Sequence, residues 1–342
     1  ALALLAVVGC STIDDDLSDC PQPGPAPGPE LQDYQLDYEL RLVTNLTTEL
    51  QTELTTQTDL QVAAALRSHL ANIFTDYAHD VDLSFYDTQG DSIRLQHDQH
   101  VMNANQASYT LNLPMRQYMH LAAANVVGNA VVRLSNDEHC HKSVLQQVQG
   151  DTIDSHTTGL FTARLPMKVL EGVSQNFDVH LYMANCATSL VIDTIGSGIR
   201  DLKVFSTGFA TRFNVADSSY VFDHSPIVRA KEVPADVAGI QAFCSVNYPS
   251  PERVTRTVIE TTDPFISEES ENSLWRFLVY ATTSSGSVTE NILYVKAPLR
   301  AGQLKIIKAK IFPNGSTESD DQTVAVSVTL DWNPGGSYNP IL

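Results

Sequence analysis

Regular alternation of apolar and polar positions begins at Tyr34. Tyr34, Leu36, Tyr38, Leu40 and Leu42 take every second place, against Gln35, Asp37, Glu39, Arg41 and Val43. Successive side chains of a strand point to opposite faces, so 34–43 is predicted as a strand with one buried face. The period then changes: Leu66, Leu70, Ile73, Phe74 and Tyr77 recur three or four residues apart, which predicts an amphipathic helix over 60–77. No comparable helical stretch follows. Val81, Leu83 and Phe85 alternate, Thr88-Gln89-Gly90-Asp91 supplies turn chemistry, and Ile93 and Leu95 return, the pattern of a hairpin. Further strands are predicted over 109–113, 118–124, 160–165 and 177–183. A second set covers 190–194, 202–209, 220–222, 240–246, 273–282, 289–295, 304–312 and 324–332. Many short strands separated by turn residues point to an all-β chain of antiparallel sandwiches, with a boundary in 185–193. No repeat is short enough for a solenoid or propeller.

Ahead of the first strand the chain reads differently. The run ALALLAVVG ends at Cys10, and nine apolar residues are too few to cross a bilayer. With no Met and no basic segment before it, the run reads as part of a signal peptide's apolar core. Val7-Val8-Gly9-Cys10 looks like a bacterial lipobox, in which small residues before a Cys direct cleavage and acylation of the thiol. A secretory core with an incidental Cys, or a short buried strand, is the plainer alternative; the abrupt switch to Ser-Thr-Ile-Asp-Asp-Asp favours the lipobox. Acyl chains contribute about 0.8 kcal/mol per buried methylene, enough to hold a protein on a membrane without a spanning helix. Five prolines crowd residues 21–29 among glycines and acidic residues, a composition that makes a semi-rigid tether. The expected organisation is therefore a signal remnant at 1–9, an acylated tether at 10–33, and domains at 34–187 and 188–342.

Charge removes several classes of function. Against 21 basic residues stand 40 acidic ones, a net charge of −19, and no Lys/Arg cluster offers a phosphate-binding footprint, so nucleic acid is excluded as a partner. An anionic membrane surface would repel the chain as well. Catalytic signatures are missing: there is no Walker A loop, no dinucleotide glycine fingerprint, no HExxH and no GxSxG, so no enzyme and no cofactor are predicted. His139-Cys140-His141 could turn two imidazoles the same way, but two ligands without a third make an exposed loop the better reading. His97 with His100, and His120 beside Tyr118, are weaker still. Asp14, Asp15 and Asp16 lack the interleaved ligands and Gly turn of a Ca2+ loop, and no metal site is predicted. With Cys10 assigned to lipid, Cys20, Cys140, Cys186 and Cys244 remain. A Cys20–Cys140 bridge would staple the tether to the first domain, with free thiols as the alternative; the apolar surroundings of Cys186 and Cys244 favour buried free thiols over a bridge.

Taken in order, several segments carry a resemblance. They are the lipobox Cys10, DDLSDCP at 15–21, the Tyr/Leu-alternating first strand, YMHLAAANVVGN at 118–129, FDVHLYMANC at 177–186, KIIKAKIFPNGS at 305–316 and VAVSVTLDWNPGGSYNPIL at 324–342. Together they resemble the FimB-type fimbrial anchor family of Bacteroidetes, lipoproteins at the base of type V fimbriae. The resemblance spans nearly the whole chain and rests on the order of short motifs. It implies two tandem transthyretin-like β-sandwich domains, the helix predicted over 60–77 falling in the first, no catalytic activity, and a place on the outer membrane facing the cell exterior. It makes Cys10 the lipid site, Asp14 to Asp16 a surface-export signal that starts a few residues later than usual, and Cys20 the tether cysteine.

The same resemblance implies assembly by strand exchange, in which a subunit supplies a strand to a neighbour's sandwich and so fills an edge that would otherwise aggregate. In stalk subunits cleavage after an Arg removes the first strand. Arg41 could be such a site, but cutting there would free the body from its lipid, so retention is expected. The expected partners are stalk subunits of the same system and outer-membrane lipid, with any host ligand unassigned. The strand at 324–332 and the tail at 333–342 are candidates for the exchange, the plainer role of 324–332 being a last core strand. Other readings are an accessory or tip adhesin of the same system, or a surface glycan-binding lipoprotein. The latter should expose aromatic platforms, yet Trp275 and Trp332 both fall in strand patterns that imply burial. Asp-Ser/Thr-apolar triplets at Asp91-Ser92-Ile93, Asp151-Thr152-Ile153 and Asp193-Thr194-Ile195 resemble an O-glycosylation sequon of exported Bacteroidetes proteins, at a frequency chance alone supplies.

Overall fold

The computed structural model describes residues 33–43, 60–74, 78–101, 108–135, 138–223, 225–253 and 273–332. They are mostly β, with one α-helix among them. In chain order come β1 (Asp33–Val43), α1 (Leu60–Ile73), β2 (Asp80–Asp87), β3 (Arg94–Val101), β4 (Ser108–Pro114), β5 (Gln117–Ala124), β6 (Val132–Ser135), β7 (Val144–Gln147), β8 (Thr152–Asp154), β9 (Phe161–Lys168) and β10 (Asn176–Met183). Then follow β11 (Cys186–Asp193), β12 (Asp201–Thr207), β13 (Arg212–Asn214), β14 (Ser219–Val221), β15 (Ile227–Arg229), β16 (Lys231–Val233), β17 (Ile240–Asn247), β18 (Trp275–Thr282), β19 (Val288–Val295), β20 (Leu304–Ile311), β21 (Thr317–Glu318) and β22 (Val324–Trp332).

These strands form four sheets. Sheet I has the order β3-β2-β5-β9-β10-β1-β4, and sheet II the order β14-β13-β7-β6. Sheet III runs β16-β17-β11-β20-β21, and sheet IV runs β22-β19-β18-β12-β15-β8. Membership does not follow the chain simply. The β13–β14 hairpin pairs through β13 with β7, and β8 adds a parallel edge to β15, so sheets II and IV each contain strands from early and late in the sequence.

Packing explains the patterns. On α1, Leu66 and Leu70 of the predicted stripe are buried, joined by Val62 and Ala63. The stripe shares one core with Val81, Leu83 and Phe85 of β2, Leu111 and Leu113 of β4, Val179 and Leu181 of β10, and Ala187, Val191, Ala242, Val246 and Ile306 of sheet III. The other face of sheet III, with Leu190, Ile192, Phe243 and Ile307, packs on Val204, Phe277, Val279 and Leu293 of sheet IV. Sheet III is thus covered on both sides, which is why CATSLVID in β11 shows no simple alternation. The second face of sheet I, with Tyr86, Leu121 and Ala123, meets Leu145 and Phe213 of sheet II and Val215 just beyond β13.

The predicted β2–β3 hairpin forms, and its returning apolar pair faces water. Phe85 lies opposite Gln96 and Tyr86 opposite Arg94, so Leu95 is the extra residue of a bulge and turns outward, as does Ile93 before it. The helix ends at Ile73, where the pattern had carried it on to Tyr77, a residue outside the described ones.

Candidate assembly site

The strand most legible in the sequence occupies the least ordinary position. β1 lies inside sheet I between β10 and β4, parallel to β10 from Asp37 opposite Asn176 to Val43 opposite Tyr182, and antiparallel to β4 from Asp33 opposite Pro114 to Glu39 opposite Ser108. Every other pairing described in that sheet is antiparallel. Leu36 is fully buried against Leu111, Leu113, Val179 and Leu181, the floor of the slot that β1 fills. β4 is held in the sheet by β1 alone, so taking β1 out would open a slot beside β10 and also strip β4 of its ladder.

Arg41 sits in β1 with its Cα opposite that of His180, two steps before the end of the ladder. At the other end of the sequence, β22 forms the edge of sheet IV, pairing with β19 from Val324 opposite Val295 to Trp332 opposite Val288, with an irregularity between Val288 and Glu290. Its Val324 and Val326 are half-buried against the core shared with sheet III. Trp275 is buried and its indole N–H donates to the Ala297 carbonyl at 2.9 Å, while the Trp332 side chain lies outside the described residues.

Cys10, Asp14, Asp15, Asp16 and Cys20 all lie outside the described residues, as does the tail 333–342. Cys140 is a buried free thiol in a short 3-10 turn, Cys140–Lys142, and burial pushes its pKa up. Cys186 and Cys244 are also free, on opposite faces of sheet III: Cys186 lies in the core toward sheet IV and Cys244 in the core toward α1, so the two cannot bridge. The Cys186 thiol instead donates to the Asn247 and Tyr248 carbonyls. His139 and His141 stand with ring centroids 5.7 Å apart, and no group of three metal-ligating side chains gathers among the described residues. His97 Nε2 meets the buried Asp82 carboxylate at 2.7 Å, as does the Gln99 amide at 2.9 Å. His120 is buried in sheet I, stacked 4.3 Å over Phe85, and burial pulls its pKa down to about 4.

A second polar cluster gave no sequence signal, because its members are far apart along the chain. It ties early strands to later ones. Asn185, between β10 and β11, accepts the Leu160 N–H with its side-chain oxygen and donates to the Thr158 carbonyl at 2.9 Å. The same Nδ2 therefore faces His156 Nδ1, at 3.4 Å, as a donor. Nδ1 must then be the acceptor, so the proton sits on Nε2, and the Gln147 amide 2.7 Å away must turn its oxygen toward it. Tyr248 stacks edge-on against His156 with centroids 5.0 Å apart and donates its hydroxyl to the Leu145 carbonyl, while Tyr220 donates to the Ala184 carbonyl. Burial holds the His156 pKa at about 3.

No protein-family model matches the chain, and neither does any curated protein. Solved structures do. A candidate adhesin from Bacteroides ovatus superposes with a TM-score of 0.50 at 9% identity, over 87% of this chain and 95% of that one. A second candidate adhesin from Bacteroides ovatus gives 0.48 at 12% identity, over 84% and 87%. The tip fimbrial protein Mfa3 from Porphyromonas gingivalis, with C-terminal truncation, gives 0.43 at 11% identity, over 88% and 100%. At 9% identity the first comparison shows a shared fold.

Proposed function

We propose that the chain is a non-enzymatic structural subunit of a cell-surface fimbria, a FimB-type anchor held on the outer membrane through acylated Cys10 and facing the cell exterior. The observation that carries this reading is the place of β1, a strand far from its neighbours in sequence yet inserted between two of them. Strand exchange needs such a slot, and the main-chain ladders on both sides would supply its tightness. A subunit that keeps its own β1 has its slot filled, so it ends a polymer and engages the first stalk subunit through another edge. β22 and the tail 333–342 are the segments that serve. Retention of β1 also keeps the body joined to Cys10, which cleavage after Arg41 would not. The fold shared with the Bacteroides ovatus candidate adhesin is consistent with this role. On this reading 34–187 and 188–342 are two transthyretin-like sandwiches that trade strands at their junction, Asp14 to Asp16 direct export, and Cys20 belongs to the tether.

A surface glycan-binding role has one observation of its own: Tyr182 is 57% exposed on the outward side of β10, beside the exposed Asp178–His180 pair. The deciding experiment is detergent extraction of outer membranes, affinity capture of the chain, and electrophoresis with and without boiling in SDS. A heat-sensitive ladder containing a related subunit is expected. A lone monomer under both conditions, or a mature chain that starts after Arg41, defeats the anchor reading; saturable glycan binding without a stalk partner would replace it.

A further inference from the structure

Three strand connections and the start of β1 meet at one end of sheet I. β2 and β3 join through residues 88–93, β4 and β5 through Met115 and Arg116, and β9 and β10 through residues 169–175. Backbone bonds tie these tips together: Thr88 N–H to the Gln117 carbonyl at 3.2 Å, and Val169 N–H to the Arg116 carbonyl at 2.9 Å. Asp33, the first residue of β1, lies opposite Pro114. Gly172 holds a left-handed φ of +67° at the β9–β10 tip, where a Cβ-bearing residue would be strained.

This end is unusually apolar. Ile93 is 48% exposed, Leu95 44%, Met115 48%, Leu170 39% and Val173 50%. Among the described residues nine large apolar side chains are exposed, and these are five of them. Scattered single exposures are ordinary on a soluble surface, whereas a concentration at one end of one sheet marks a contact. The charges around the tips are mixed. Arg116 pairs with Asp87, Lys168 and Arg94 add positive charge, and Asp33, Asp91, Glu138 and Glu171 add negative.

From these placements we propose that this end of sheet I seats on the lipid bilayer, with Met115, Leu170 and Val173 entering the headgroup layer and Ile93 and Leu95 at the margin. The inference rests on the reading of Cys10 as the lipid site. What identifies the occupant is where the chain arrives: the segment carrying Cys10 joins the body at Asp33, among the apolar tips. A tether of fixed length between Cys10 and Asp33 sets a ceiling on the height of the body and no floor, so the tips decide where it rests. Mixed charge suits zwitterionic headgroups better than an anionic surface. The far end of the sheet leads through Ala184 and Asn185 into β11 and the rest of the body, which leaves the later sheets free for assembly.

The test uses the chain from Cys10 onward in a Cys20→Ser background, coupled through the Cys10 thiol to a maleimide lipid in phosphatidylcholine vesicles. A tryptophan is placed at the tip by Val173→Trp, or at the opposite end of the sheet by Val127→Trp, which replaces an equally solvent-facing valine. With lipids brominated near the headgroup, the emission that Val173→Trp adds over the parent chain, which carries Trp275 and Trp332, should be strongly quenched, and that added by Val127→Trp should keep its value in unbrominated vesicles. Adding Met115→Ser and Leu170→Ser should restore most of the Val173→Trp emission. Equal quenching at the two positions, or none at either, overturns the proposal. Because coupling is chemical, this result does not depend on natural acylation; intact mass of the cell-derived chain tests that separately.

Discussion

β1 and β22 stand at opposite ends of the described sequence and are treated in opposite ways by the fold. β1 is threaded into the middle of sheet I, laddered on both sides, with Leu36 fully buried. β22 is laid on the edge of sheet IV, laddered on one side, with Val324 and Val326 half-buried. Both alternate apolar and polar residues, so the sequence pattern is the same and the structural debt is not. An edge strand can leave and return while its sheet persists. An interior strand takes its neighbour with it, because β4 has no other ladder. The difference makes β1 the strand whose loss also costs the sheet β4, and β22 the one whose loss leaves its sheet's other ladders in place.

The sharpest way to break this contrast is deletion. A chain starting at residue 44 should lose on the order of 5 kcal/mol or more, from ladder bonds on two sides and the Leu36 burial, and its urea transition should fall toward zero denaturant. A chain ending at residue 323 should lose about half as much and keep a cooperative transition. A synthetic 33–43 peptide should restore the first. Equal losses for the two truncations would show that β1 has no special standing.

A single substitution gives a smaller version of the same comparison. Leu36→Asp buries a carboxylate with no partner and should cost about 3–5 kcal/mol, whereas Val326→Asp, with water at hand, should cost about 1–2 kcal/mol. Denaturant midpoints of the two variants measure both. If Val326→Asp proves the worse, the edge position of β22 is wrong.

Acid should separate the two sheets without any mutation. His120 in β5 and His156 at the junction are neutral when folded, with pKa values near 4 and 3, and return to 6.5 when exposed. Unfolded chains therefore bind protons that folded ones refuse, so this stability is complete above pH 6.5 and drains away as pH falls toward those values. At pH 4.5 the loss is about 2–3 kcal/mol for each histidine. His156 has a second reason to stay neutral, since a proton on Nδ1 would confront the Asn185 Nδ2 donor. The strands of sheet IV contain no histidine. Amide exchange at pH 4.5 should thus quicken in β5, β9 and the 155–160 segment before β18 and β19; uniform quickening would refute this ordering.

The smallest effect belongs to a lone side chain at the edge. Val326→Ala should lower stability by about 1 kcal/mol, measured by thermal unfolding, against about 3 kcal/mol for Leu36→Ala.

What was legible beforehand follows from locality. Alternation in 34–43 revealed β1, and the stripe of Leu66 and Leu70 revealed α1, because each is written in consecutive turns or steps of one element. Neither pattern names a neighbour, so the parallel match of Asp37 with Asn176 was invisible. Strands of three or four residues, such as β8 and β13, are too short to show a period, and with them the exchange of strands between sheets was lost. Ile93 and Leu95 marked the returning strand, but the bulge beside them has no signature in the alternation. Of the proposed site, the Arg41 strand was readable and the slot around it was not; the His156, Asn185 and Gln147 cluster has no sequence signature at all.

The parallel match of β1 with β10 also has a mechanical meaning. A load arriving through Asp33 pulls along the axis of β1, while the main-chain bonds to β10 and β4 run across it. Those bonds are then loaded in shear and share the force together, instead of opening one at a time as a zipper does. A body fastened by its first residues and tugged from its far end would resist most strongly along the direction in which that strand points.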